Sequence, residues 1–371
     1  MTQAVSLSVS EQTLQAPTMP AAGQRCIALD AMRGLVMLAL CWGLLGRGPL
    51  ARDPALRPIA MQFYHVQWEG LVFWDLIQPA FWFVVGAALP FALARRLERG
   101  ATFGQNLRHV CTRALRLALL GQMLECLDAG RYTFLSRETL TQIGFCYCCC
   151  FLIWHLPFRW QAITAASLMA VNWGLYVLFP GSAGPFSPKD NIGAIIDRTL
   201  FGLSGTAGWV TLNVLGSTVT MLSGVWAGAL LMSKRSQAEK FKILAAATAA
   251  SFVVGLALTP FNPVMQKTWT ASFTFLSAGY VLLGVGAFYW LFDIKGYRRL
   301  AFPLVVVGVN CIFIYVLRGA LAGWLDKSVG VFTGRFQFIG PLAPAFQASA
   351  TVFVMWYVCY WLYRRKIFLK A

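Results

Sequence analysis

Apolar runs of roughly 20 residues recur along this chain, each long enough to cross a bilayer core of about 30 Å as a helix. No other feature constrains the fold as much. In lipid, backbone N–H and C=O groups must be satisfied within the segment, so runs of this length are helices rather than open strands. About ten are expected, near 31–46, 71–94, 110–127, 138–156, 160–179, 209–232, 241–259, 269–292, 301–324 and 344–363. The third is the weakest, because Arg113 and Arg116 interrupt it. The expected fold class is all-α: a polytopic transmembrane helical bundle of about ten spans. Only 12% of the 371 residues are charged, against about 25% in soluble proteins. One membrane domain over 26–371 fits that composition, with no soluble domain inserted.

Residues 1–24 contain no Lys or Arg and are rich in Ser, Thr, Gln and Pro. They lack the charged start of a signal peptide. Residues 1–25 are expected to form a disordered tail, with the first helix acting as an uncleaved signal anchor.

The net charge of +17 would point to nucleic acid in a soluble protein. Here the basic residues fall in loops, and no nucleic-acid partner is expected; the expected partner is the lipid bilayer. Arg95, Arg96, Arg99 and Arg108 follow the second span, with Arg113 just inside the third. Lys234, Arg235, Lys240 and Lys242 follow the sixth, and Lys295, Arg298 and Arg299 the eighth. Arg364, Arg365, Lys366 and Lys370 form the tail. Alternate loops are poorer in cations. The positive-inside rule then puts both termini and these four segments in the cytoplasm. An even number of spans agrees with that placement.

Cys146, Cys148, Cys149 and Cys150 crowd one span. Three of them share a helix face, but no His or Asp stands at zinc spacing beside them. They are expected to pack as small buried hydrophobes, with no metal bound and no disulfides.

Ionisable groups inside spans are costly and mark function or structural pairing. Asp30 and Arg33 open the first span three residues apart and share a face. A salt-bridged, capped helix start accounts for them. Gln142, Asn213, Thr270 and Asn310 are further polar positions, each fit for an interhelical hydrogen bond worth about 0.6 kcal/mol. His65 stands just ahead of the second span, on the outward side by the topology above. Asp75 lies ten residues on. Either the connection folds back so that Asp75 orients the imidazole, or Asp75 bonds a neighbouring helix while His65 joins the interfacial aromatics Tyr64, Trp68 and Trp74. Pro79, inside the span, is expected to kink it.

These polar islands, in this order, resemble a known family. Leu29-Asp30-Ala31-Met32-Arg33-Gly34 resembles its LDxxRG motif. The run from His65 through Trp68, Gly70, Asp75 and Leu76 to Pro79 resembles HxxWxGxxxxDLxxP, and Gly86 matches the FxFxVG that follows. Leu140-Thr141-Gln142-Ile143-Gly144 resembles LQRxG, Trp269-Thr270-Ala271-Ser272 resembles WTxS, Gly308-Val309-Asn310 resembles GMNS, and Tyr363-Arg364-Arg365-Lys366-Ile367-Phe368 resembles YRxKIF. The family is the heparan-alpha-glucosaminide N-acetyltransferase-like group. It includes bacterial multi-pass proteins, some labelled amino-sugar transporter-related. The likeness runs over nearly the whole chain after residue 25.

That resemblance implies an acyltransferase-like membrane domain in the bacterial cytoplasmic (inner) membrane. Cytosolic acetyl-CoA is its expected co-substrate and a glycan or amino-sugar amine on the far side its acceptor. It also implies that His65 is catalytic, which agrees with the outward position found from the loops. A homodimer is compatible with it. The chain departs from the family at Leu44, where the resemblance implies an active-site asparagine, and at Ile143, where it implies an arginine.

An acyltransferase needs cations for the nucleotide phosphates of its donor. Arg95, Arg99, Arg113, Lys234, Arg298 and Arg299 are the available pool; for any one of them, topology setting and anionic lipid contact are the more ordinary account. His65 is the expected general base, or the site of an acyl-imidazole. Asp75 would hold its tautomer. Asn310 or Gln142 would donate to the thioester oxyanion. Asp30, Arg33 and Trp269 are substrate-binding or structural. Two other functions fit the same residues: a transporter for amino sugars or related solutes, and a non-catalytic membrane subunit retaining the family shell.

Overall fold

A computed structural model describes residues 26–134, 138–182, 184–188, 190–202 and 209–369; of 44–47, 49, 335 and 337 it describes the backbone alone. The expected disorder of residues 1–25 and the position of Lys370 lie outside the described residues, as does the side chain of Leu44.

Every element among the described residues is helical, apart from an isolated bridge between Gly181 and Gly184. The helices are α1 (Ile27–Leu50), α2 (Arg57–Met61), α3 (Ile77–Leu97), α4 (Phe103–Ala129), α5 (Thr139–Trp154), α6 (Phe158–Leu178) and α7 (Ile192–Phe201). They continue as α8 (Val214–Met232), α9 (Gln237–Leu258), α10 (Ala271–Phe288), α11 (Arg298–Gly308), α12 (Cys311–Thr333) and α13 (Ala343–Arg364). Short 3₁₀ turns lead into α3 and α8, and a π-helical turn, Tyr289–Ile294, ends α10.

All ten expected segments fall on helices, but the described spans are fewer. Six helices are long and apolar enough to cross a membrane, or seven if α11 and α12, bent by 57°, make one span. The shortfall has physical causes. Helix α4 runs 27 residues but carries Arg108, Arg113, Arg116, Glu125 and Asp128. Helix α5 has only 16 residues, about 24 Å of helix.

Helices α3, α8 and α10 form the centre. Trp82, Phe83, Met221, Leu222, Phe273 and Val285 are fully buried there. The α3–α8 crossing is tight: a Cβ at Gly86 would strike the Met221 carbonyl. Close backbone approach through small residues is how helices pack where no hydrophobic drive separates protein from lipid. Helix α6 lies on α8, α9 on α10, and α1 and α13 on the opposite flank with α11 and α12.

The expected kink at Pro79 is absent. Pro79 falls in the first turn of α3, where its missing N–H has no intrahelical partner to lose; the proline inside the helix is Pro90.

Candidate active site

Asp75 stands at the very start of the apolar stretch Phe73–Leu97. It closes the 3₁₀ turn Phe73–Leu76 that precedes α3. Its Oδ2 accepts from the Val72 N–H at 3.1 Å. Its Oδ1 lies 2.7 Å from His65 Nδ1. The carboxylate is completely buried, while the imidazole is 37% exposed. An ionised carboxylate only accepts, so Nδ1 carries the proton and the Nε2 lone pair is left to act as a base.

Local backbone brings the pair together. The chain turns back at Gly70, whose φ of +126° is one that a side chain rarely tolerates. The Gly70 N–H donates to the Val264 carbonyl (2.8 Å) and the Trp74 N–H to the Gln62 carbonyl (2.9 Å). The ring of His65 meets Trp209 and Trp74 edge-on, with centroids 5.4 and 6.2 Å away. Trp68 Nε1 donates to the Phe186 carbonyl at 2.6 Å, which ties the 180–190 loop to this wall.

The segment before α10 supports the pair from the other side. Gln266 is buried and donates to the Asp75 carbonyl (3.4 Å) and to Gln78 Oε1 (3.2 Å). Lys267 Nζ donates to the Gln67 carbonyl at 2.6 Å and sits 5.8 Å from the Trp68 ring centre. Partial burial holds its ammonium below the ordinary lysine value, and the Asp75 charge works against that. Trp269 is fully buried in the left-handed region, φ +52°, which is uncommon for a bulky residue. Its Nε1 donates to Thr220 at 2.9 Å. It shapes the segment carrying Gln266 rather than facing the imidazole.

The two amides expected near an oxyanion are engaged elsewhere. Gln142 donates to Asn213 at 2.8 Å, joining α5 to α8. Asn310 donates to the Ile367 carbonyl and accepts from the Leu369 N–H, both at 3.2 Å, clasping the tail after α13. Arg33 pairs with Asp30 at 3.1 Å.

At the other end of α3 lies a cavity of about 870 Å³. It gathers the end of α3, α8, α10 and α13 with the start of α1, α9 and α11, so the basic segments converge there. Of the six expected phosphate cations, Arg95 and Arg298 line it, joined by Arg235 and Lys240. Among the described residues no ion pair engages Arg95, Arg235 or Arg298. Lys240 donates to the Leu231 carbonyl at 2.8 Å. The two acids in the wall, Asp30 and Asp293, are also engaged. Asp30 pairs with Arg33, and Asp293 accepts from the Ile27 and Ala28 N–H groups at the start of α1. Tyr289, Phe91, Phe302 and Tyr363 supply aromatic wall.

The remaining expected cations sit elsewhere. Arg113 donates to the Tyr147 hydroxyl at 3.1 Å and lies over that ring. Arg99, Lys234 and Arg299 are exposed and do not line the cavity. In sequence a basic loop shows its charge but not which of its residues border a cavity, and Arg235 and Lys240 carry no signal that sets them apart from Lys234. Gln266 and Trp209 are missed for another reason: they reach the site from separate loops, with no spacing to announce them.

Two of the four clustered cysteines pack into the core, while Cys148 and Cys149 are half-buried. Cys146 and Cys150 are fully buried against Ser217 and Thr218 of α8. No family model matches the chain, and no curated protein matches it.

Proposed function

We propose that this chain is a transmembrane acyltransferase of the heparan-alpha-glucosaminide N-acetyltransferase-like type, with ten spans and both termini cytoplasmic, in a bacterial inner membrane. It transfers an acetyl group from cytoplasmic acetyl-CoA to an amino-sugar or glycan amine on the outer face. One observation carries the reading. A histidine–carboxylate pair and a cation-lined cavity occupy opposite ends of the same central helices. The roughly 20 residues from Asp75 to Arg95 span about 30 Å at helical rise, the thickness of a bilayer core.

Each part has a defined task. Arg95, Arg235 and Arg298 match phosphate oxygens of the donor nucleotide, and the aromatic wall suits a purine. The pantetheine arm reaches toward His65. The acceptor amine attacks the thioester carbonyl and the new C–N bond forms. His65 Nε2 takes the amine proton, with Asp75 stabilising the imidazolium. The C–S bond then breaks, and the imidazolium returns its proton to the departing thiolate. This proton transfer typically contributes about 100- to 10,000-fold in rate.

The test is transfer of radiolabel from [acetyl-¹⁴C]acetyl-CoA to glucosamine by purified protein in liposomes. Label in the sugar supports the reading. Solute uptake with no need for CoA would replace it with a transporter.

A further inference from the structure

A second cavity, about 1200 Å³, is almost wholly apolar. It runs along the membrane flank of the bundle, where α6 lies on α8 and α9 lies on α10. Ala166 and Met169 line one wall, Ala247 and Val254 the other. From Ile243 to Leu258 the groove follows about 22 Å of α9 at helical rise, more than one leaflet of a core about 30 Å thick. It is therefore long enough for a chain that passes the midplane.

Ser223, Arg235, Ser251 and Thr274 are among its few polar neighbours, and Asn262 stands at the end formed by the α9–α10 connection. Asn262 lines the groove and is 4% exposed, yet its side-chain oxygen has no hydrogen-bond partner among the described residues. A buried carbonyl left without a donor keeps its full desolvation penalty, so the position calls for a donor from outside the chain. Asn262 belongs to the α9–α10 connection that also touches the dyad, through Val264 on Gly70 and Gln266 on Asp75. Trp173 of α6 closes the same end by donating to the Phe261 carbonyl at 3.1 Å.

We propose that this groove holds the apolar chain of an amine-bearing lipid, with the amine donating to Asn262 beside the His65–Asp75 pair. The inference rests on the acyltransferase reading and narrows it: the acceptor amine is delivered on a membrane-embedded chain rather than from solution. The bookkeeping is unchanged. The lipid nitrogen gains the acetyl carbon, the thioester C–S bond breaks, and the amine proton passes through His65 to the thiolate.

The experiment uses octadecylamine carrying a diazirine near the chain terminus, with a diazirine-bearing octadecane as headless control. Purified full-length protein in nanodiscs is irradiated and the labelled residues are mapped. Labelling is expected on the groove walls of α6 and α9, competed by unlabelled octadecylamine and not by glucosamine. Ala166→Trp with Ala247→Trp fills the groove and should cut labelling at least about tenfold while acetyl-CoA still binds, which reports an intact fold. Asn262→Leu should reduce the amine probe to the level of the headless one and leave the latter unchanged. Labelling scattered evenly over lipid-facing helices overturns the proposal, as does indifference to either substitution. His65→Asn should label like wild type, because capture precedes chemistry. Groove labelling without acetyl transfer leaves the lipid site standing and removes the enzyme. Transfer to soluble glucosamine without groove labelling does the reverse.

Discussion

The His65 imidazole is held at 2.7 Å by a carboxylate, Asp75, that has no exposed surface and whose other oxygen accepts from the Val72 N–H. That relationship decides how His65 should be replaced. His65→Ala removes the base and also strands a buried charge, and breaking a buried pair by removing one partner costs about 3–5 kcal/mol. His65→Asn keeps an N–H near the Nδ1 position and lacks the base. Acetyl transfer should fall about 100- to 10,000-fold in both, while thermal unfolding in detergent should shift far less for the asparagine variant. Wild-type transfer by His65→Asn would make the histidine structural.

Asp75→Asn should be nearly as damaging as loss of the base. From sequence alone, a neighbouring carboxylate that merely orients a ring looks the lesser loss. The geometry says otherwise. With the Val72 N–H claiming the carboxamide oxygen, the NH₂ faces Nδ1 and forces the ring proton onto Nε2. The base is then blocked, and a wrong-tautomer loss of this kind in a serine protease triad is about 10,000-fold. Single-turnover transfer at saturating acetyl-CoA measures it. A loss below about tenfold would show that the ring can turn over and keep its lone pair.

The donor cavity makes a graded prediction. Arg95→Ala and Arg298→Ala should each weaken acetyl-CoA binding, charge-assisted contacts being worth about 1.5–3 kcal/mol. Acetyl-pantetheine, which lacks the nucleotide, should bind as before. Arg99→Ala and Arg299→Ala should change neither, because those side chains do not line the cavity. Calorimetric titration of the four variants with both ligands distinguishes a phosphate site from general loss of positive charge.

How much of this was legible in sequence depends on whether the signal was periodic, local or long-range. Apolar runs announced every long helix, because burial in lipid demands continuous hydrophobicity whatever the neighbours are. The His65–Asp75 pairing was visible as one of two alternatives, since ten residues with a glycine between them permit a return. Gln142 was readable as a tie between helices but its pairing with Asn213 was not, and Asn310 was not readable as the clasp on Ile367, because those partners lie far along the chain. The span count is reached only in part, for a third reason. Apolar character was visible in α4, but five charges on that helix set it below what composition alone accepts as a span.

The loop over the site should loosen in acid. Asp190 accepts from the Ser182 N–H at 2.9 Å and from Arg198 at 3.1 Å, and the Ser182 backbone and side chain, followed by Arg198, hold its carboxyl below the usual carboxylate range. A depressed folded value means the anchorage is fully present above the ordinary aspartate value and is lost as pH falls through the lower, folded one. Protection of the Ser182 amide, its exchange rate taken against the intrinsic rate at each pH, should therefore persist at neutral pH and be lost only in strong acid. Asp190→Asn should make exchange fast at pH 7. Equal protection in the two proteins would show that the loop is held by Trp68 on Phe186 instead.

Orientation is the condition on which the catalytic reading stands, and it can be tested without any substrate. Basic segments after α3, α8, α10 and α13 meet at one end of the bundle, and His65 lies at the other. If those segments face the cytoplasm, Ser182 faces out and Lys234 faces in; both are exposed. In a background where the exposed Cys111 is replaced by Ser, Ser182→Cys should react with a membrane-impermeant maleimide on intact cells. Lys234→Cys should react only after permeabilisation. The opposite pattern would put the imidazole on the side of the acetyl-CoA supply and the cationic cavity on the side without it. The transfer mechanism would then have no donor at its donor site.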